Sequence, residues 1–141
     1  MGKTRPYLEE SLQLELAKLY PNSKTAMLDR VVEMHLAFRK LALRNIKGVF
    51  TRNELIGIVA AFNGTIISFD LGIPPKFMLT AGMEDSISLD GNDVMYDYQA
   101  EPLLQKISQL SQLEAMFLLE EVSRFWNESR HPDLEDFIKQ L

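Results

Sequence analysis

The stretch from Thr25 to Ile46 constrains the fold of this chain most, because it predicts one long helix with more apolar surface than a surface helix needs. Its apolar residues recur at alternating steps of four and three, which is the repeat of one helix face. They are Met27, Val31, Met34, Phe38 and Leu41, and the face is widened by Leu28, Val32, Leu36, Leu43 and Ile46. The apolar arc spans roughly 220° of the circumference, whereas a surface helix needs little more than about 100°. We therefore expect this helix to be covered on two sides, by other parts of the chain or by a second copy.

Two capping boxes mark further helix starts. In a capping box, a hydroxyl side chain and a Glu side chain three residues later each accept a backbone hydrogen bond from the other residue. Thr51 and Glu54 have this spacing, and the helix that they open is apolar nearly all round up to Phe62, which is typical of a buried helix. Ser111 and Glu114 open a helix in the C-terminal third. Apolar spacing predicts three more helices, over 8–19, from Pro102 to Leu110 and over 132–141.

The segment 65–99 has the weakest local pattern in the chain. Thr65 to Phe69 has the β-branched and aromatic composition of a short strand, and Ile73-Pro74-Pro75 predicts a loop. Residues 77–80 are predicted to be extended, and residues 81–89 to form one or two helical turns. We therefore expect 65–99 to be irregular as a whole.

These elements predict a mainly α fold, namely a compact helical domain around a long central helix with at most one minor β element. The length of 141 residues suits a single domain. Within 1–141 we expect an extended arm, a helical core, an irregular segment and C-terminal helices, at 1–7, 8–64, 65–99 and 100–141. Thr25–Ile46 and Leu55–Phe62 should form the centre, joined by a short connection at 45–50 and covered by the C-terminal helices around Phe117 and Trp126.

Composition and motifs give little support for catalysis or metal binding. The chain has no cysteine, which excludes disulfides, thiolate metal sites and cysteine nucleophiles. The two histidines have no zinc-ligand spacing, and we expect His35 to be a hydrogen-bonded core residue and His131 to lie at the surface. An EF-hand pattern started at Asp90 fails, because Val94 and Met95 occupy its fifth and sixth positions. Phosphate-binding glycine loops and the G-x-S-x-G elbow are also missing, so we expect no cofactor and favour a non-enzymatic protein.

An acidic run in the second half supports one further hypothesis, a ligand binder or an enzyme with a pocket in 65–99. The run consists of Asp85, Asp90, Asp93, Asp97 and Glu101. A solvated acidic loop is the simpler interpretation. An ordered pocket rimmed by the four aspartates would favour the ligand hypothesis.

Charge is divided unevenly along the chain. Residues 1–52 hold ten Lys and Arg against five Asp and Glu, whereas residues 53–141 hold five against fifteen. Such asymmetry can mark a segment that faces nucleic acid, and it also arises where a basic half packs against an acidic half. No apolar run approaches the ~18–20 residues of a membrane span, and the N-terminus lacks the apolar core of a signal peptide. We therefore expect a soluble cytoplasmic protein without a membrane partner.

A short basic strand, a helix that opens with Leu-Glu-Glu, a small polar loop and a longer helix follow one another at the N-terminus. The segments are Lys3-Thr4-Arg5-Pro6-Tyr7-Leu8-Glu9-Glu10, then Pro21-Asn22-Ser23-Lys24-Thr25, then Ala26 to Leu36. This order resembles the ribbon-helix-helix family of DNA-binding regulators, in which two strands of a dimer form a ribbon in the major groove. The resemblance implies that Lys3, Arg5 and Tyr7 face DNA. It also implies that a helix N-terminus holds a phosphate, through Ser23, Lys24 and Thr25.

The sequence therefore supports three functional hypotheses. The first is a non-enzymatic interaction or regulatory protein that acts through protein contacts and self-associates as a homodimer. The alternative is a small DNA-binding regulator of ribbon-helix-helix type that uses its basic N-terminal arm. The third is the ligand binder or enzyme with a pocket in 65–99.

Overall fold

The computed structural model describes residues 10–19, 24–69, 71–128 and 133–141, with the backbone alone for 24–27. Its helices are α1 (Glu10–Leu19), α2 (Lys24–Val49), α3 (Arg52–Ala61), α4 (Pro75–Asp90), α5 (Asn92–Met95), α6 (Ala100–Gln109), α7 (Gln112–Glu128) and α8 (Leu134–Gln140). The predicted mainly α fold is confirmed. None of the described residues forms a strand, so the short strand expected at Thr65–Phe69 is wrong.

The chain divides into two compact units, Met1–Phe38 and Arg39–Leu141, and the boundary lies within α2. The second unit contains the hydrophobic core. Side chains with no exposed surface come from six of its helices: Ile46, Ile58, Val59, Leu79, Met83, Leu103, Ile107, Ala115, Leu118, Leu119, Val122 and Phe137. One continuous core therefore joins the helices of this unit.

Helix α3 lies at the centre of this core, as the sequence predicts. Ile58 and Val59 are fully buried, and α3 contacts α4, α5 and α8. The Trp126 indole N–H on α7 donates to the Val59 carbonyl oxygen at 2.9 Å. Phe125 makes edge-on contacts with the rings of Trp126 and Phe137, at centroid distances of 5.1 and 5.7 Å. The prediction that the C-terminal helices cover α3 is therefore confirmed.

Both predicted capping boxes are present. The Glu54 amide donates to the Thr51 hydroxyl at 3.2 Å, and the Thr51 amide donates to the Glu54 carboxylate at 2.7 Å. Ser111 and Glu114 make the same two hydrogen bonds, each at 3.0 Å. Helices α3 and α7 therefore begin where their local sequence predicts.

The segment 65–99 is not irregular as predicted, since it holds α4 and α5. Helix α4 begins at Pro75, because proline suits the first position of a helix, where its missing N–H has no partner to lose. It ends before Gly91, whose φ of 61° lies in the left-handed region that commonly closes helices. Residues 77–80, expected to be extended, belong to this helix.

The connection predicted at 45–50 is also wrong, because α2 continues to Val49. The Phe50 amide donates to the Ile46 carbonyl oxygen at 3.0 Å, which prolongs the helical hydrogen bonding. Ile46 is fully buried and Phe50 is 5% exposed. Packing of this last turn on the core outweighs the low helix propensity of Gly48.

A buried carboxylate joins three helices of the second unit. Glu121 on α7 is 1% exposed and accepts hydrogen bonds from Arg39 of α2, Arg124 of α7 and Gln140 of α8. The distances are 3.1 Å from Arg39 Nε, 2.6 Å from Arg124 Nη2 and 2.7 Å from Gln140 Nε2. A buried carboxylate is costly unless it is paired and hydrogen-bonded, and these donors meet that requirement.

Candidate functional site

The N-terminal unit exposes a large apolar surface. Among its described side chains, at 10–19 and 28–38, none is buried. Eight large apolar side chains are each 37% to 72% exposed: Leu12, Leu14, Leu19, Leu28, Val32, Met34, Leu36 and Phe38. Exposed apolar patches larger than those of a typical soluble protein mark interaction sites. The unit therefore presents a candidate protein-interaction surface.

On α2 the exposed apolar residues form two rows. Leu28, Val32 and Leu36 follow steps of four along one side, and Met34 and Phe38 follow one such step about 140° further round the helix. These rows are the N-terminal part of the wide apolar arc predicted from the sequence. The described residues do not cover the arc at these positions. That a second copy covers it stays a prediction.

The described residues of this unit supply little of the packing that usually stabilises helices. Helix α1 has ten residues, and isolated helices shorter than ~12–15 residues are marginal in water. In proteins, most helix stability comes from packing of an apolar face. None of the described apolar side chains of the unit is fully buried, and Leu16 and Val31 are half-buried.

The predicted nucleic-acid-binding residues fall at the edge of the described structure. Four of them lie outside the described residues: Lys3, Arg5, Tyr7 and Ser23. Lys24 and Thr25 form the start of α2. The roles of all six residues in DNA binding therefore stay predictions.

His35 is exposed on α2, which corrects the prediction that it belongs to the core. The physical reason is that the apolar arc around it, including Val32 and Leu36, is itself exposed. His131 lies outside the described residues. Within the part of the chain that the structure describes, no three His, Cys, Asp or Glu side chains are grouped to hold a metal ion.

A groove of about 430 Å³ lies in the second unit, between α4 and the connecting segment that precedes it. Its floor includes Phe62, whose ring packs so closely on Gly82 that a Cβ there would approach it to 2.5 Å. Gly64 and Gly72 lie in the segment that precedes α4. Their φ values of 76° and 72° fall in the left-handed region that favours glycine. The apolar walls include Ile66, Leu71, Ile73, Phe77 and Leu89.

Two of the four aspartates in the third hypothesis line this groove. Asp85 and Asp90 are at its edge, whereas Asp93 and Asp97 are not among its lining residues. No Lys or Arg belongs to the described lining, and neither carboxylate forms an ion pair with a described residue. The groove can therefore accommodate a ligand that combines apolar surface with positive charge.

A second cleft, polar in character, contains Glu54, Asp97 and Lys106. Glu54 is 5% exposed, and its carboxylate accepts hydrogen bonds from the Thr51 amide at 2.7 Å and from Lys106 Nζ at 2.6 Å. These contacts hold the start of α3 and join it to α6. The Glu54 carboxylate therefore serves the fold, and we assign this cleft no function.

Sequence reasoning missed the apolar walls of the groove. Ile66 and Leu71 are 93% and 69% exposed, and both precede α4 in a segment whose described residues form no helix or strand. The sequence signal for these walls was the presence of large apolar residues in such a segment. They need either a core to enter or a partner to cover them.

Comparison of the chain with protein-family models, curated proteins and solved structures gives no match. Among the described helices, none has both the length and the apolar character that crossing a bilayer requires. The functional proposals below therefore depend on the surfaces of the molecule itself.

Proposed function

We propose that this chain is a non-enzymatic regulatory module of the cytoplasm that acts through protein contacts and self-associates through its N-terminal unit. The observation that carries the proposal is the exposed apolar surface of α1 and of α2 up to Phe38. Contiguous exposed apolar surface marks protein-interaction sites, because water contact with it is unfavourable.

A second copy of the chain is the partner that fits this surface. Leu28, Val32 and Leu36 form an exposed row at steps of four, and such rows are the ridges along which two helices pack side by side. Most homo-oligomers are two-fold dimers, in which the same patch of each copy meets itself. Asp29, Arg30 and Glu33 are exposed on α2 and mix both signs of charge, so two copies can approach without strong repulsion. The resemblance to a dimeric family gives independent support.

Sedimentation velocity over a concentration series tests the proposal with the variant Leu36→Glu. We expect the wild type to dimerise and the variant to raise the dimer Kd by at least about a hundredfold. Each variant dimer would lose two buried leucines, worth roughly 1.5–3 kcal/mol each, and would bury two charges instead.

The matched control is Ala37→Glu, which places the same residue at an exposed position on the polar side of α2, about 140° round the helix from the row of Leu36. This control should dimerise like the wild type. A wild type that stays monomeric at about 100 µM would exclude the homodimer. A Leu36→Glu variant that dimerises normally would exclude this surface as the interface.

The second candidate function is a DNA-binding regulator of ribbon-helix-helix type. The helix boundaries favour it, because α1 ends at Leu19 and α2 begins at Lys24, as the order of segments in that family requires. In this alternative, the dimer would place the arms of both copies on DNA. Lys3, Arg5 and Tyr7 would face the bases, and Ser23, Lys24 and Thr25 a phosphate.

Fluorescence anisotropy of a labelled mixed-sequence duplex at several salt concentrations tests this alternative. We expect binding that weakens steeply with salt, because phosphate contacts release counterions. Lys3→Ala and Arg5→Ala should each weaken binding, because they remove contacts to the bases, whereas Lys24→Ala should reduce the salt slope by about one, because it removes a phosphate contact. Lys139→Ala, in α8, is the control and should bind like the wild type. Absence of binding at low salt would exclude DNA and leave the dimer proposal intact.

A further inference from the structure

The groove beside α4 is too open for an enclosed small molecule. Small-molecule sites typically bury about 70–90% of their ligand. Here the side chains of the rim point outward, with exposures of 93% for Ile66, 65% for Phe77 and 81% for Leu89. Apolar residues this exposed are covered more completely by a macromolecule that lies across the rim.

The shape of the groove suits a helix. Along α4 it runs from Phe77 to Leu89, which is a length of about 18 Å, or roughly three helical turns. Ala81, with its small side chain, lies midway and allows close approach of a partner backbone. The described residues offer no sheet edge that an extended peptide could join, whereas an apolar groove of this length matches the mode in which an amphipathic helix lies in a groove.

The charge of the groove indicates which charge a partner helix must carry. Asp85 and Asp90 lie at the end of the groove near Leu89, both are exposed, and no described lining residue is basic. Lys76 lies at the opposite end of α4, and its ammonium group donates a hydrogen bond to the Ser108 carbonyl oxygen at 2.6 Å. Complementary charge therefore requires Lys or Arg on the partner at the Asp85–Asp90 end.

We propose that this groove binds an amphipathic helix of a protein partner, about three turns long. Its apolar face meets the groove walls, and its Lys or Arg side chains pair with Asp85 and Asp90. This site belongs to the second unit and is separate from the surface that we assign to self-association. The chain would thus carry one surface for its own copy and one for a basic helix.

The test uses two fluorescent synthetic peptides of about 14 residues with the same leucine row, one with lysines on its polar face and one with glutamates. Anisotropy titrations with the full chain should show binding of the lysine peptide and at least about tenfold weaker binding of the glutamate peptide. Asp85→Asn with Asp90→Asn should weaken binding of the lysine peptide about fivefold, since exposed ion pairs contribute modestly. Ala81→Phe should weaken it at least about tenfold, because the ring fills the groove.

The matched control is Glu84→Gln with Glu101→Gln, which removes the same charge from exposed positions that do not line the groove. It should bind like the wild type, and melting curves should show that every variant is folded. The proposal is overturned if the control weakens binding as much as the Asp85 and Asp90 pair, or if both peptides bind equally. Sedimentation velocity of Ala81→Phe tests whether the groove is distinct from the self-association surface. We expect this variant to dimerise like the wild type. Loss of the dimer would show that a second copy occupies the groove.

Discussion

Val59→Asp is expected to abolish folding of the second unit. Val59 has no exposed surface and lies on α3, at the centre of the core. A carboxylate placed there has no partner and costs roughly 4 kcal/mol or more, whether it stays charged or binds a proton. Domains of this size are stable by only about 5–15 kcal/mol in total. The substitution therefore removes much or all of the stability of the unit.

Circular dichroism and thermal melting measure this effect. We expect Val59→Asp to lose most of its helical signal and its cooperative transition. Val94→Asp is the control, because Val94 is 83% exposed on α5 and receives the same chemical change. The free energy of unfolding of this control should lie within about 0.5 kcal/mol of the wild-type value. A soluble Val59→Asp variant with a sharp transition near that of the wild type would show that α3 is not the centre of the core.

Glu121→Gln is expected to destabilise the chain by about 3 kcal/mol, because removal of one partner of a buried ion pair leaves the other without compensation. The amide keeps the size of the side chain, but it offers a single acceptor oxygen to the donors of Arg39, Arg124 and Gln140. Its NH₂ group would face one of these donors. Urea unfolding at pH 7 gives the free-energy difference.

The stabilisation from Glu121 should also depend on pH. Burial alone would raise the pKa of Glu121, but the hydrogen bonds from Gln140, Arg39 and Arg124 outweigh it and lower the pKa below its ordinary value of 4.5. A lowered pKa in the folded state means that the unfolded state binds the proton more readily. The stabilisation is therefore complete above the unfolded pKa and is lost as the pH falls below it. The stability difference between wild type and Glu121→Gln should shrink as the pH falls below about 4.5.

The neighbouring residue supplies the control for both measurements. Glu120→Gln makes the same change one position away, at a half-buried residue, and should alter stability by less than about 0.5 kcal/mol. If Glu121→Gln and Glu120→Gln have the same stability at pH 7, the buried network does not hold α2 and α8 against α7. A difference between wild type and Glu121→Gln that is constant between pH 7 and pH 3 would assign its effect to packing rather than to charge.

The starts of α3 and α7 could be predicted from the sequence, because a capping box is a contact between residues three positions apart. The hydroxyls of Thr51 and Ser111 and the carboxylates of Glu54 and Glu114 meet within one helical turn. The same holds for the burial of α3, whose residues are apolar nearly all round. Such features need no knowledge of the rest of the chain.

Helix α4 could not be predicted beyond one or two turns at 81–89, because its apolar residues do not form one stripe. Leu79 and Met83 enter the core, whereas Phe77 and Leu89 line the groove on another side of the same helix. Gly82 lowers the local helix propensity, yet it is needed for the close packing of the Phe62 ring. A helix with two apolar sides has little periodic signal, and only its neighbours show which side is buried.

The sequence by itself determined the helical class, most helix positions, the caps and the excess apolar arc of α2, because each depends on residues within a few turns of one another. The tertiary structure decided which part of that arc is covered: Ile46 is buried in the core, whereas Leu36 stays exposed. It also brought Arg39 and Gln140 to Glu121 and placed Asp85 and Asp90 beside an apolar groove. These juxtapositions join residues far apart in the chain, and local periodicity carries no information about them.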